Sequence, residues 1–128
     1  DIISIDLSKR LAYRFKTESI KKALQRGIHF EVSYALALRD QGSKRQFFTN
    51  VQALARETRG KGIVLTSKAR SVMDIRGPYD AINFMTFLGF TENQARNCIT
   101  ENAMAVVKHA EKRKAYRGTL QVKYDTSV

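Results

Sequence analysis

Residues 62–80 constrain the fold of this chain more than any other segment. They begin with a short apolar run at residues 63–65, rich in β-branched side chains, which predicts a buried strand. A basic stretch follows, and the segment then reaches Gly77-Pro78, which contains the only proline of the chain. Because proline lacks an N–H and has φ fixed near the helical value, it suits the first helical position, with Gly77 as the cap. The segment therefore predicts a strand, a basic loop and a helix.

The same order of elements recurs along the chain. Residues 2–5 have strand character, and residues 28–34 alternate strictly between apolar and polar side chains. Helical spacing follows at residues 17–26 and 46–58, and residues 35–45 are predicted to be a loop. Thr91 and Gln94 have capping-box spacing, and Thr100 is predicted to cap a last helix whose inward residues include Val107.

Alternating strands and helices predict an α/β fold of parallel βα units with right-handed crossovers. We expect residues 1–114 to form this domain and residues 115–128 to form a basic, extended tail. No run of 18 apolar residues occurs, so the sequence predicts no membrane-spanning helix and no membrane partner.

The chain is strongly basic, with 23 Lys and Arg against 12 Asp and Glu, which predicts a polyanionic partner such as a nucleic acid. Many of the bases follow predicted strands, and such connections share one edge of a parallel sheet. The predicted RNA-binding residues of this edge are Lys44, Arg45, Lys68, Arg70 and Arg76. A second predicted set lies near the C-terminus and consists of Lys108, Lys112, Arg113, Lys114 and Arg117. The alternatives are that the edge docks a partner protein, or that the charges are scattered over a solvated surface.

Catalytic chemistry has few candidate residues in this sequence. The two histidines, His29 and His109, lie on different elements, and Asp6 with Glu31 would supply only half of a metal site. We therefore predict no catalytic and no metal-binding residue. A metal-dependent phosphoesterase on a barrel fold remains the alternative.

Glu31 and Cys98 also receive structural interpretations. The alternation of its strand predicts that Glu31 points into the sheet or barrel interior. There it would pair with a basic residue such as Arg70 or Arg76, because an unpaired buried charge is costly. The single cysteine, Cys98, is predicted to be a small buried apolar residue.

Two segments carry a resemblance to a known family. Residues 26–34 read RGIHFEVSY, and residues 76–80 read RGPYD after the third strand. Together they resemble the thirty-kilodalton protein subunit of ribonuclease P and ribonuclease MRP, with a likeness running from residue 1 to about residue 118. The resemblance implies a TIM-barrel-like fold of the polymerase-associated phosphoesterase type, of which this chain matches the C-terminal half. The motif residues are Glu31, Gly77, Pro78, Tyr79 and Asp80.

The resemblance also implies a function. Members of this family are non-catalytic subunits of a ribonucleoprotein whose RNA processes the 5′ end of precursor transfer RNA, and MRP processes ribosomal RNA. It implies no cofactor in the protein, with divalent metal bound by the RNA. The implied partners are ribonuclease P or MRP RNA, precursor transfer RNA, a small RNA-recognition-like protein subunit and other holoenzyme proteins. The implied location is the nucleus and nucleolus in a eukaryote, or the cytoplasm in an archaeon. A basic RNA-binding module of another particle is a further alternative.

Overall fold

The computed structural model describes residues 1–38 and 40–115. Within them, a parallel sheet has the strand order β1 (Ile2–Ser4), β2 (His29–Ser33), β3 (Ile63–Thr66). The helices that connect these strands are α1 (Thr17–Gln25), α2 (Ala35–Leu38) and α3 (Gln41–Thr58). After β3 come a 3₁₀ turn (Val72–Asp74) and the helices α4 (Pro78–Phe87), α5 (Glu92–Ile99) and α6 (Glu101–Ala115). The predicted α/β class with a parallel sheet is confirmed.

One face of the sheet carries the hydrophobic core. Phe30 pairs in register with Ile63, and Val32 pairs with Leu65. Because paired residues of neighbouring strands project to the same side, these four side chains form one apolar surface, and all are at most 7% exposed. The core that packs against this surface includes residues of α1 and α3, namely Ile20, Phe47, Val51 and Leu54.

Helix α3 begins five residues earlier than the sequence pattern suggested. Asp40 caps it, since its carboxylate accepts hydrogen bonds from the Gly42 N–H and the Ser43 hydroxyl, both at 3.3 Å. The predicted loop at residues 35–45 is therefore wrong for most of its length, because α2 and the first turn of α3 occupy it. Lys44 and Arg45 consequently lie on a helix and not in a loop.

The later helix starts agree with their local signals. Gly77 caps α4 and Pro78 is its first residue. At α5 the Thr91 hydroxyl accepts from the Gln94 N–H at 3.2 Å, and the Gln94 side chain accepts from the Thr91 N–H at 3.0 Å. The Gln94 amide also donates to the Arg59 carbonyl at 3.1 Å. The capping box thus also attaches α5 to the end of α3.

Helix α6 crosses the amino-terminal edge of the sheet. Asn102 donates to the carbonyl of Ile63, the first residue of β3, at 2.8 Å. The His109 ring lies beside Gly27, just before β2, and Arg113 forms an ion pair with Asp1, just before β1. Because these contacts share one side of the helix, Val107 lies on another side and is 52% exposed. The prediction that Val107 faces inward was wrong.

The predicted tail, residues 115–128, lies outside the described part of the chain except for Ala115, which is the last residue of α6. In the part that the structure does describe, no helix combines the length and the apolar character that a membrane crossing requires.

Candidate nucleic-acid interface

The sheet face opposite the core becomes polar toward the carboxyl ends of the strands. Ser4 pairs with Glu31 and Ser33 pairs with Thr66, so these residues project to one side. The Thr66 hydroxyl donates to Glu31 Oε1 at 2.7 Å, and the Ser33 and Thr66 hydroxyl oxygens are 3.0 Å apart. A connected hydrogen-bond network therefore holds the Glu31 carboxylate at this edge.

The environment of Glu31 favours its charged form. Burial by itself raises the pKa of this carboxyl group, but hydrogen bonds from Ser4, Thr66 and Ser33 and the positive charge of Lys68 outweigh that effect. The pKa of Glu31 therefore lies below its ordinary value.

A basic residue does act on Glu31, as predicted, but it is Lys68 and not the suggested Arg70 or Arg76. The Arg76 guanidinium donates instead to the carbonyls of Met73 and Ile75, at 2.6 and 3.5 Å. Neighbouring strands already place hydroxyl groups within reach of the carboxylate, so the charge is stabilised without an arginine.

Replacement of Glu31 by glutamine should change how stability depends on pH. A depressed folded-state pKa contributes stability above the ordinary glutamate value of about 4.5, and this contribution is lost as pH falls through the folded-state pKa. We expect the wild-type protein to exceed Glu31→Gln in free energy of unfolding at pH 7, and the difference to shrink below about pH 4. Urea unfolding at both pH values measures it. A difference that does not change with pH would contradict the expectation.

The positive charge of Lys68, in the segment after β3, acts on Asp6, in the segment after β1. Hydrogen bonds from the Ser8 hydroxyl and N–H, together with the charges of Lys9 and Lys68, hold the pKa of Asp6 below its ordinary value against the opposing effect of burial. Lys68 thus acts on both Asp6 and Glu31. Its backbone has φ +47°, a left-handed conformation that is uncommon for lysine. The predicted meeting of these two connections at one edge is supported by this shared charge.

A tyrosine hydroxyl joins the two segments that resemble the family. The hydroxyl of Tyr34, the residue that follows β2, accepts a hydrogen bond from the Arg76 N–H at 2.9 Å. In the loop that precedes Arg76, the Arg70 N–H donates to the Asp74 carboxylate at 3.1 Å. These contacts hold Gly77 and the start of α4 next to the carboxyl end of the sheet.

The loop between β3 and α4 and the first turn of α4 also expose apolar side chains, of which the sequence had indicated only Tyr79, as a motif residue. The exposed fractions are 82% for Val72, 80% for Met73, 57% for Ile75 and 79% for Tyr79. The sequence signal that could have indicated this exposed surface is the presence of apolar residues between arginines in a predicted loop. Exposed apolar clusters of this kind are typical of protein interfaces.

The two predicted basic sets lie at opposite edges of the sheet. Lys68, Arg70 and Arg76 belong to the connection after β3, and the exposed Lys44 and Arg45 follow β2 on α3. The second set lies on α6, which crosses the amino-terminal edge, and comprises Lys108, Lys112, Arg113 and Lys114. Arg117 lies outside the described residues. One continuous surface at a single edge cannot contain both sets.

The candidate metal-site residues do not meet in one place, because His29 and His109 lie at the amino edge of the sheet whereas Asp6 and Glu31 share the charge of Lys68. His29 begins β2 at the amino edge, with Nδ1 3.2 Å from the Gly27 carbonyl oxygen, whereas Glu31 interacts with groups at the carboxyl edge. Across residues 1–38 and 40–115, no three His, Cys, Asp or Glu side chains are grouped so that they could hold a metal ion. Cys98 is buried, as predicted, and burial raises the pKa of its thiol to about 12.

Comparison with known proteins identifies the relationship. The family model for RNase P subunit p30 matches residues 1–115. The probable ribonuclease P protein subunit 3 of Schizosaccharomyces pombe is 40% identical over 121 residues, covering 94% of this chain and 52% of that protein. Ribonuclease P protein subunit p30 of Mus musculus is 33% identical over 120 residues, covering 94% and 45%. Ribonuclease P/MRP protein subunit RPP1 of Saccharomyces cerevisiae is 29% identical over 121 residues, covering 94% and 41%. The chain spans about half the length, or less, of these curated relatives. It belongs to the ribonuclease P subunit p30 family.

Proposed function

We propose that this chain is part of a non-catalytic protein subunit of a ribonuclease P or MRP ribonucleoprotein. In this role it supports RNA-catalysed 5′ processing of precursor transfer RNA, and processing of ribosomal RNA where the particle is MRP. The observation that carries the proposal is the family match over residues 1–115, together with relatives that are named as subunits of these particles.

Within this function the protein binds and positions RNA and performs no bond cleavage. The carboxyl edge of the sheet offers exposed Lys68, Arg70 and Arg76, which suit phosphate contacts, and arginine can form two parallel hydrogen bonds to one phosphate. Divalent metal is bound by the RNA, and the protein itself carries no cofactor. RNA of the ribonuclease P or MRP type and precursor transfer RNA are the proposed nucleic-acid partners.

The sheet is proposed to be part of a TIM-barrel-like fold. Among the described strands, β1 and β3 each pair only with β2, and Ile2 and Ile3 of β1 are 45% and 38% exposed. Unpaired strand edges expose N–H and C=O groups that readily accept a further strand. Since relatives such as the Schizosaccharomyces pombe protein are about twice as long, the remainder of the polypeptide is proposed to supply the other strands.

The protein partners are proposed to include a small RNA-recognition-like subunit and other holoenzyme proteins. The exposed apolar residues of the β3–α4 loop, with Val72 and Met73 in its 3₁₀ turn, suit such a contact. In a eukaryotic cell the protein would act in the nucleus and nucleolus, and in an archaeal cell in the cytoplasm.

The RNA role of the carboxyl edge is tested by replacing Lys68 and Arg70 together with alanine in the full-length protein. Both side chains are exposed, but Lys68 interacts with Asp6 and Glu31, so the free energy of unfolding should fall by about 0–1 kcal/mol for each of these two interactions. Affinity for ribonuclease P RNA should fall, and the slope of log affinity against log salt should shrink by roughly 0.7–0.9 per lost phosphate contact. Binding measured at several salt concentrations gives both quantities.

Lys21→Ala/Lys22→Ala is the matched control, because it removes two exposed charges from α1 and should leave the salt slope closer to that of the wild type. If Lys68→Ala/Arg70→Ala weakens assembly with the partner protein but leaves RNA affinity and salt slope intact, the edge docks protein. The RNA role would then pass to the basic residues of α6.

The ribonucleoprotein proposal has its own test. The full-length protein should co-purify with ribonuclease P or MRP RNA, and the purified protein without RNA should not cleave precursor transfer RNA in the presence of Mg²⁺. Recovery of neither RNA would contradict the proposal. Metal-dependent cleavage that is lost in Glu31→Gln would instead favour a phosphoesterase.

A further inference from the structure

A cleft with a volume of about 510 Å³ lies between the β1–α1 connection and α3. Its size falls within the range of about 300–1,000 Å³ that is usual for pockets that hold small ligands. The lining side chains that matter for its chemistry are Arg10, Tyr13, Arg14, Phe15 and Arg56. None of these residues was among the predicted site residues.

The walls of the cleft are held in place by a buried amide. Asn50 of α3 is 6% exposed, and its Nδ2 donates to the carbonyls of Leu7 and Lys9 at 2.7 and 2.8 Å. Two hydrogen bonds from one buried group therefore fix the start of the β1–α1 connection against α3. The connection is consequently anchored before it reaches the residues that line the cleft.

An aromatic pair supplies an exposed ring at the cleft. Tyr13 and Phe15 pack edge to face, with ring centroids 6.1 Å apart. Phe15 is half-buried and packs against the hydrophobic core, whereas Tyr13 is 55% exposed. The Tyr13 ring thus packs against Phe15 on one side and remains more than half exposed to solvent.

The cleft is also positively charged. Arg10, Arg14 and Arg56 are exposed, and none of them takes part in the ion pairs that occur among residues 1–38 and 40–115. Glu57 is the acidic residue of the lining, and its carboxylate accepts a hydrogen bond from the Thr17 hydroxyl. The three guanidinium groups therefore outnumber the one carboxylate at the cleft.

We propose that this cleft binds an unpaired nucleotide of RNA, with the base stacked on Tyr13 and the adjoining phosphates contacted by Arg10 and Arg14. An aromatic face beside arginines suits single-stranded RNA, because the ring stacks on any base and guanidinium groups bind phosphate. An acidic peptide would use the arginines but would gain little from the aromatic face. The inference rests on the proposed function and adds a class of ligand, unpaired RNA, and a location outside the β3–α4 loop.

The test uses the full-length protein and a fluorescent single-stranded oligouridine, with an RNA duplex for comparison. Tyr13→Ala should weaken oligouridine binding by about 5- to 150-fold, whereas Tyr13→Phe should bind nearly as the wild type does. The salt slope should be unchanged in Tyr13→Ala, because tyrosine is uncharged, and should shrink by about 0.7 in Arg14→Ala. Phe87→Ala is the matched control, since Phe87 is a 77% exposed aromatic residue that does not line the cleft.

Equal oligouridine affinity in Tyr13→Ala and the wild type would overturn the proposal. A loss of duplex binding in Tyr13→Ala as large as its loss of oligouridine binding would also overturn it. Loss of subunit assembly with unchanged RNA affinity would also overturn it and indicate a protein ligand. Ultraviolet cross-linking of Tyr13 to RNA in the assembled particle would support it.

If ribonuclease P RNA co-purifies but Tyr13→Ala has no effect, only the cleft proposal fails. If Tyr13-dependent oligouridine binding occurs without ribonuclease P or MRP RNA, only the proposed function fails.

Discussion

Replacement of Phe47 by alanine is expected to lower the free energy of unfolding by about 3–5 kcal/mol. Phe47 is fully buried on α3, and its ring packs near those of Phe48 and Phe84, with centroid distances of 6.4 and 6.1 Å. Its removal loses the apolar transfer free energy of the ring and leaves a cavity, because α3 remains attached to the sheet by other core residues. The Phe47 side chain lies between α3 and α4, so its removal takes packing contacts from both helices.

Urea unfolding of the full-length protein measures this effect. Phe87→Ala removes the same side chain from a 77% exposed position on α4, where the ring makes an edge contact to Phe48 with centroids 5.8 Å apart. It should therefore cost much less, within about 1 kcal/mol. Similar losses in the two variants would contradict the assignment of Phe47 to the centre of the core.

The second large effect is expected from replacing Asn50 by aspartate. The asparagine amide donates to two backbone carbonyls, and its Oδ1 accepts from the Gln46 side chain at 3.2 Å. A carboxylate cannot donate to those carbonyls and would place negative charge against them in a buried position. Each of the two carbonyls left unsatisfied costs about 1–3 kcal/mol, so we expect a loss of about 2–6 kcal/mol in the free energy of unfolding.

Asn50→Asp should also affect the RNA cleft, because the same amide anchors the β1–α1 connection. Oligouridine affinity should fall in the folded fraction of the protein, even though Asn50 is not proposed to contact RNA. Gln52→Glu is the control, since it makes the equivalent change at an exposed position of α3 and should alter stability by about 0.5 kcal/mol or less. A fully stable Asn50→Asp variant with normal RNA binding would show that these hydrogen bonds do not secure the connection.

Structural features that depend on only a few neighbouring residues were predicted correctly from the sequence. The alternation at residues 28–34 indicated β2, Gly77-Pro78 marked the start of α4, and Thr91 with Gln94 formed the expected capping box. Each depends on the conformation of adjacent backbone or on hydrogen bonds within one helical turn. The start of α3 was missed although Asp40 was a competent cap, because the first turns of that helix contain few apolar residues and no clear period.

The partners of Glu31 depended on information that no local pattern contains. Its hydroxyl contact comes from Thr66 on another strand, so it depends on the register between β2 and β3. A shift of one residue would have turned that hydroxyl to the opposite face of the sheet. The sequence did indicate that Glu31 needed stabilising, but strand register decided which groups would stabilise it.

The separation of the two basic sets and the cleft at Tyr13 were likewise decided by packing between distant segments. The composition of the sequence by itself determined that the protein is basic, its short motifs determined the parallel βα order, and two motifs indicated the family. Only the tertiary structure decided that α6 crosses the amino edge, away from Lys68, and that Asn50 holds the Tyr13 segment against α3. The physical reason is distance along the chain. Hydrogen bonds between residues separated by 39 to 43 positions follow from how whole elements pack, and not from the preferences of either residue alone.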